Sequence, residues 1–367
     1  MNILVTGSAG FIGANLMMRL LRDMTEGTII GLDNLNSYYD PSLKKYRLQE
    51  IEKNCQLSTV NYQFIRGSIA DRDLVNRLFA EYKFDIVVNL AAQAGVRHSI
   101  DNPDAYIESN IIGFYNILEA CRHAKELVRE HEKKTVNCQL STVNYQGVQH
   151  LVYASSSSVY GGNKKIPFSV DDNVDHPVSL YAATKKSDEL MAHCYSKLFN
   201  IPTTGLRFFT VYGPAGRPDM AYFGFTDKLV KGTAIQIFNY GNCRRDFTYI
   251  DDIVEGIVRV MFKVPERKTG EDGLPVSPYR LYNIGGGQPE NLLDFVQILQ
   301  EELVRAGVLP TNYDFEAYKE LVPMQPGDVP VTYADATALE HDFGFVPKIT
   351  LREGLRRFAE WYKNFYC

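Results

Sequence analysis

Ile3-Leu4-Val5-Thr6-Gly7-Ser8-Ala9-Gly10-Phe11-Ile12-Gly13 is the stretch on which the fold turns. Its apolar opening has the length and β-branched content of a buried strand. The glycines at 7, 10 and 13 follow at once, and 14–22 carries the 3.6-residue periodicity of a helix. Strand, glycine turn and helix in that order let a backbone approach a pyrophosphate closely and aim helix N–H groups at it. Asp33 closes the second apolar run, Thr28-Ile29-Ile30-Gly31-Leu32, twenty residues after Gly13. A carboxylate there accepts hydrogen bonds from adenosine ribose hydroxyls and repels a 2′-phosphate, so NAD is expected over NADP.

Outward from this unit the same rhythm continues to about residue 201. Phe64-Ile65-Arg66, Ile86-Val87-Val88-Asn89-Leu90 and His150-Leu151-Val152-Tyr153-Ala154 read as further buried strands. Helical patterns over 71–82 and 112–126 lie between them. Such alternation builds a doubly wound parallel sheet covered by helices on both faces. Ligands then sit outside the carboxyl ends of the strands, at the switch point. After Leu206 the elements shorten and Gly and Pro punctuate them, which predicts a smaller lobe of mixed α/β structure. The closing helix, over 351–362, sets Leu355, Phe358, Ala359 and Tyr362 on one face as core.

Tyr181-Ala182-Ala183-Thr184-Lys185 places a phenol and an ammonium on one helical face. A free tyrosine ionises near about 10 and is a poor base at neutral pH. A neighbouring ammonium and a nicotinium ring both favour the phenolate and bring it toward the working range. Ser155-Ser156-Ser157-Ser158, at the end of the fifth strand, supplies hydroxyls that can hold a substrate alcohol.

With these motifs together, the chain resembles the extended short-chain dehydrogenase/reductase family of nucleotide-sugar enzymes. The resemblance runs over nearly the whole length. It rests on the glycine loop, Asn89-Leu90-Ala91-Ala92-Gln93-Ala94-Gly95-Val96-Arg97, the serine run, Tyr181 with Lys185, and Arg245-Asp246-Phe247-Thr248-Tyr249-Ile250-Asp251-Asp252. Asp33-Asn34-Leu35-Asn36-Ser37-Tyr38-Tyr39-Asp40 and Gly216-Arg217-Pro218-Asp219-Met220 resemble the branch that 4-epimerises a UDP-uronate. The resemblance implies a Rossmann-type NAD domain over 1–206, with returns of sheet and helix from about 239–265, and a mainly UDP-sugar-binding lobe over 207–367. It implies Tyr181, Lys185 and Ser156 as catalytic residues. Cofactor contacts would come from Gly7, Gly10, Phe11, Ile12, Gly13, Asp33, Asn34, Ile69, Leu90, Ala91, Ala92 and Asn110, with Tyr181 and Lys185. Substrate contacts would come from Arg97, Ser157, Ser158, Thr210, Arg217 and Arg245, the last a guanidinium suited to a diphosphate. Gly67-Ser68-Ile69 departs from the family's usual Gly-Asp-hydrophobic, which is expected to weaken a contact at the adenine end.

Related dehydratases and decarboxylases carry an acid after the catalytic serine, where this chain has Ser157 and Ser158. Hydroxyls donate hydrogen bonds but do not readily remove a carbon-bound proton. A 4-keto uronate is a β-keto acid prone to lose carbon dioxide. Ser157, Ser158 and Thr210 are expected to hold its carboxylate where that loss is slow. Action on a neutral UDP-hexose or UDP-N-acetylhexosamine, and a non-catalytic NAD-binding scaffold, stay open as alternatives.

Net charge is −5 and no long basic run exists, which argues against nucleic acid as a partner. Six scattered cysteines without CxxC spacing fit free thiols in a reducing compartment. No leader pattern precedes the first strand and no segment reaches the ~20 apolar residues of a membrane span, so a cytoplasmic protein is expected. His98, His123, His150, His176 and His193 lack metal-ligand spacing, so no metal is expected. The resemblance implies a homodimer joined through the helix near 112–126 and the helix bearing Tyr181. The decamer Asn54-Cys55-Gln56-Leu57-Ser58-Thr59-Val60-Asn61-Tyr62-Gln63 recurs unchanged over 137–146. Both copies are read as tolerated insertions between helix and strand, and 125–134 as a solvated helical extension.

Overall fold

Seven parallel strands form the central sheet of the computed structural model, which describes residues 1–135, 145–324 and 329–367, and side chains outside 125–135. In chain order they begin with β1 (Asn2–Thr6), β2 (Thr28–Asp33), β3 (Asn61–Arg66), β4 (Ile86–Asn89), β5 (His150–Ser156) and β6 (Thr203–Phe208). The strand Tyr279–Ile284 completes the sheet, whose spatial order is Tyr279–Ile284, β6, β5, β4, β1, β2, β3. Every neighbouring pair is parallel. The order reverses between β1 and β4, and that is where a doubly wound sheet opens its crevice.

The strands read as continuous apolar runs because both sheet faces are covered. Ile3, Val5 and Val88 pack toward α1 (Phe11–Asp23) and the helix Ile250–Met261; Leu4, Val87 and Leu151 pack toward α3 (Arg72–Tyr82) and α6 (Gly113–Thr135). Between them in sequence lie α2 (Ser42–Cys55), α4 (His98–Asp101) and α5 (Pro103–Tyr106). α7 (Leu180–Phe199) starts on a Ser179 cap that accepts a hydrogen bond from Ala182 N at 3.1 Å.

Two expectations are corrected. The stretch 239–265 returns a helix to the main domain, Ile250–Met261, but its strand Arg244–Tyr249 sits in a separate three-stranded sheet with Pro289–Asn291 and Thr210–Tyr212. The strand that returns to the main sheet is Tyr279–Ile284, registered against β6 from Thr203 to Phe208. The first decamer is not an insertion. Asn54 and Cys55 end α2, Asn61, Tyr62 and Gln63 pair with Thr28, Ile29 and Ile30, and Val60 is buried. Ser58 Oγ donates to the Leu21 carbonyl at 2.6 Å, tying the turn to α1. Most of the second copy lies outside the described residues. Its Tyr145 donates to the Phe84 carbonyl at 3.2 Å just ahead of β5. The backbone of α6 stays helical through Thr135.

Leu292–Arg305 and the closing helix Leu351–Tyr366 cover the smaller lobe, with Leu355, Phe358, Ala359 and Tyr362 buried. Among the described residues, no helix is long and apolar enough to cross a membrane.

Candidate active site

A cavity of about 990 Å³ runs along the carboxyl ends of the strands and continues under the smaller lobe. Its cofactor end is built by the turn after β1. Gly7 has φ +67°, and a Cβ there would lie 2.8 Å from Ala91 N. A Cβ on Gly13 would collide with the Gly7 carbonyl oxygen. Only glycine lets α1 start this close to the β4 loop. Gly10 caps α1 without a side chain over its first N–H groups, which leaves them to an anion.

At the tip of β2, Asp33 Oδ2 accepts from Ala9 N at 3.1 Å and Oδ1 from Leu35 N at 2.8 Å. Its carboxylate lines the cavity at the carboxyl end of the strand. The Lys44 ammonium lies 3.8 Å from it, buried, and donates to Asn36 Oδ1 at 2.8 Å. Burial pulls the Lys44 ammonium below the usual lysine range, partly offset by Asp33. Gly7, Gly10, Phe11, Ile12, Gly13, Asp33, Asn34, Ile69, Leu90, Ala91 and Ala92 all line this end. So does Ser68, whose Oγ is turned back to accept from Ala70 N at 3.1 Å. Glycine cradle, open helix terminus and ribose carboxylate together fit a dinucleotide.

Ser156, Ser157, Ser158, Tyr181, Lys185, Thr210, Arg97, Arg217 and Arg245 line the rest of the same cavity. Ser156 ends β5; its Oγ accepts from Ser158 N and donates to Ser158 Oγ, both at 3.1 Å, holding the serine turn in place. Tyr181 opens α7 and meets the Tyr106 ring edge-on at 6.0 Å between centroids. Arg97 stacks over Phe238, its guanidinium carbon 5.4 Å from the ring centroid. Arg217 is ion-paired with Asp219, and Arg245 donates to the Arg244 and Pro330 carbonyls. Among the described residues no group of His, Cys, Asp and Glu is arranged as a metal site.

Asn110 is the exception. It does not line the cavity, and it is 1% exposed. Its carboxamide accepts from Gln93 N at 2.8 Å and donates to Gln93 O and Thr184 Oγ1, both at 3.0 Å. It lies in a π-turn, Ile107–Ile112, that widens the helical path ahead of α6. Asn110 therefore joins the β4 loop to α7.

Two side-chain pairings made by cavity residues escaped the sequence reading. Tyr38 reaches from the loop after β2 to donate to Asp219 Oδ2 at 3.2 Å, across 181 residues of chain. Burial, with the Asp219 charge next, pushes the Tyr38 phenol up to about 12. Asp188 accepts from Lys185 Nζ at 2.9 Å. A titratable residue three places beyond Lys185 is visible in the sequence, but that spacing is commonplace on solvated helices.

Glycine cradle, ribose carboxylate and a Tyr/Lys pair on one crevice define an NAD-dependent enzyme of the short-chain dehydrogenase type. The chain belongs to the NAD dependent epimerase/dehydratase family, whose model matches residues 3–285. It is 43% identical over 370 residues to UDP-glucuronate 4-epimerase 4 of Arabidopsis thaliana, covering 99% of this chain and 76% of that one. A probable UDP-glucuronate 4-epimerase of Rhizobium meliloti is 40% identical over 374 residues, covering 100% and 98%. The crystal structure of UDP-glucuronic acid 4-epimerase from Bacillus cereus with UDP-glucuronic acid and NAD matches with a TM-score of 0.79 at 30% identity, each chain covered fully.

Proposed function

We propose that this protein interconverts UDP-glucuronate and UDP-galacturonate by inverting C4 of the sugar through a 4-keto intermediate. One observation carries the reading. Tyr181 and Lys185 share the cavity with three small hydroxyls, Ser157, Ser158 and Thr210, and no acid follows Ser156 in the turn Ser157–Tyr160. That set favours oxidation and return at C4 over elimination, which calls for a base beside the serine turn.

NAD+, when bound, would supply a two-electron acceptor for hydride at C4. Tyr181 accepts the C4 hydroxyl proton as general base, and Lys185 favours its phenolate. Ser156 holds the C4 oxygen by a hydrogen bond. Ser157, Ser158 and Thr210 hold the sugar carboxylate and, being small, leave the ring room to present its other face. Tyr181 then returns the proton to the C4 oxygen. Arg245 is suited to the diphosphate, Arg97 adds positive charge along the same path, and Arg217, its charge offset by Asp219, offers hydrogen-bond donors.

The reading extends to a homodimer through α6 and α7. Tyr115, Leu190 and Leu198 on these helices are 38, 59 and 67% exposed, apolar surface that a second copy would cover. Incubation of the purified protein with UDP-glucuronate, without added cofactor, should yield UDP-galacturonate by NMR. Turnover of UDP-glucose or UDP-N-acetylglucosamine in its place would favour a neutral-sugar epimerase. No product from any of the three would overturn the reading.

A further inference from the structure

Tyr181, Lys185 and Asp188 stand at i, i+4 and i+7 on α7, one above another on a single face. Lys185 and Asp188 form an ion pair at 2.9 Å with side chains 4 and 2% exposed. Asp188 Oδ1 is buried without a hydrogen-bond partner. A buried carboxylate satisfied on one oxygen only is costly, and stability alone gives no reason to keep it. The neighbouring Glu189 is engaged differently, by Arg207 on β6 and Ser155 on β5. Asp188 faces Lys185 and Glu189 from its own helix and the buried Tyr153 phenol from β5. Lys185 is therefore the cation that answers its charge.

We propose that Asp188 is a positioning residue for the proton transfer, fixing the Lys185 ammonium on α7 and tempering the positive field that Lys185 exerts on Tyr181. This rests on the assignment of Tyr181 as the base. An ammonium has three donors, so the bond to Asp188 leaves two for a ribose and the phenol oxygen. The carboxylate keeps Lys185 from swinging and offsets part of its charge. Burial raises the Asp188 carboxyl to about 6, against the pull of Lys185, so its charge is fully present only above that pH. The offset is thus strongest in the neutral range and fades in acid.

The test is Asp188→Asn, which keeps the shape and removes the charge. With Lys185 no longer offset, the acidic limb of the kcat profile for UDP-glucuronate should move to lower pH by about one unit. Profiles should converge in acid, where Asp188 of the unaltered protein is neutral. Coincident profiles, or a shift the other way, would overturn the proposal. A parallel readout needs no substrate: the ultraviolet phenolate signal of Tyr181, taken as the difference from Tyr181→Phe in each background. It should appear at lower pH in the Asp188→Asn background, and an unmoved signal rejects the proposal even where no turnover is found. Absence of turnover in the unaltered protein counts against the function itself. Should Asp188→Asn fail to fold, Asp188→Ser gives the same comparison.

Discussion

Arg207 grips Glu189 through two parallel hydrogen bonds, Nε to Oε1 at 2.8 Å and Nη2 to Oε2 at 2.9 Å. Both side chains are 2% exposed. Ser155 Oγ donates to the same Oε1 at 2.6 Å, so β5, β6 and α7 are pinned at one point. Glu189 is on the helix that carries Tyr181, and Ser155 precedes Ser156 at the end of β5. Arg207 also donates to the Tyr160 hydroxyl at 3.0 Å, which in turn donates to Asn283 Oδ1 at 2.6 Å on the last sheet strand.

Removing one member of this pair leaves the other charge buried and alone. Arg207→Met should lower unfolding free energy by about 3–5 kcal/mol. Replacing Arg207 and Glu189 together by apolar residues should cost much less. Chemical denaturation of the single and double variants measures both. A single variant as stable as the parent would show that Glu189 finds another partner.

On the proposed mechanism Tyr181→Phe removes the proton acceptor and little else, because the ring can keep its edge-on packing against Tyr106. General acid–base groups contribute about 10²–10⁴-fold, and turnover should fall by at least that factor. Retained dinucleotide, released by denaturation and quantified, should match the parent. Loss of both together would mean that the phenol holds the cofactor rather than moving the proton.

These predictions draw unequally on what the sequence made legible. The glycine loop, Asp33 and the Tyr/Lys spacing could be read because each is local: strand, turn and helix fix the geometry within a few residues. Tyr38 and Asp219 could not be paired, since their contact joins loops 181 residues apart. Lys44 and Arg47 sit in the charged stretch Lys44-Lys45-Tyr46-Arg47, where no local pattern signals burial. In the fold both are buried, and Arg47 donates to the carbonyls of Ala9, Ala215 and Gly216 to lock the cofactor turn to the smaller lobe. The first decamer misled for the reverse reason. Its repetition suggested an addition, yet Asn61, Tyr62 and Gln63 pair with β2 as part of edge strand β3.

On the proposed function, Ser157 and Ser158 are expected to set product partition. A 4-keto uronate loses carbon dioxide when its carboxylate bond aligns with the carbonyl π system, and hydrogen bonds from Ser157, Ser158 and Thr210 would hold it away. Ser157→Ala with Ser158→Ala should therefore raise the UDP-pentose fraction severalfold, since charge-assisted hydrogen bonds are the stronger kind. Chromatography of the nucleotide sugars measures it. An unchanged fraction would assign the restraint to other residues.

His150 gives the protein a pH-dependent weakness remote from catalysis. The ring is fully buried at the start of β5. Nδ1 donates to the Met261 carbonyl at 3.0 Å, which leaves Nε2 to accept from Thr204 Oγ1 at 2.9 Å. Burial pushes its pKa down to about 4, with the Met261 bond opposing. In the unfolded chain the same ring titrates near 6.5. Between these values the unfolded state binds the extra proton, so stability is full above pH 6.5 and drains away toward pH 4. The loss from this group alone is about 3 kcal/mol. His150→Gln can neither gain that proton nor lose stability by it. Its denaturation midpoint should start lower at neutral pH and then fall less steeply with acid than the parent's. Parallel slopes between pH 6.5 and 4 would show that His150 is protonated as readily in the folded protein as in the unfolded chain.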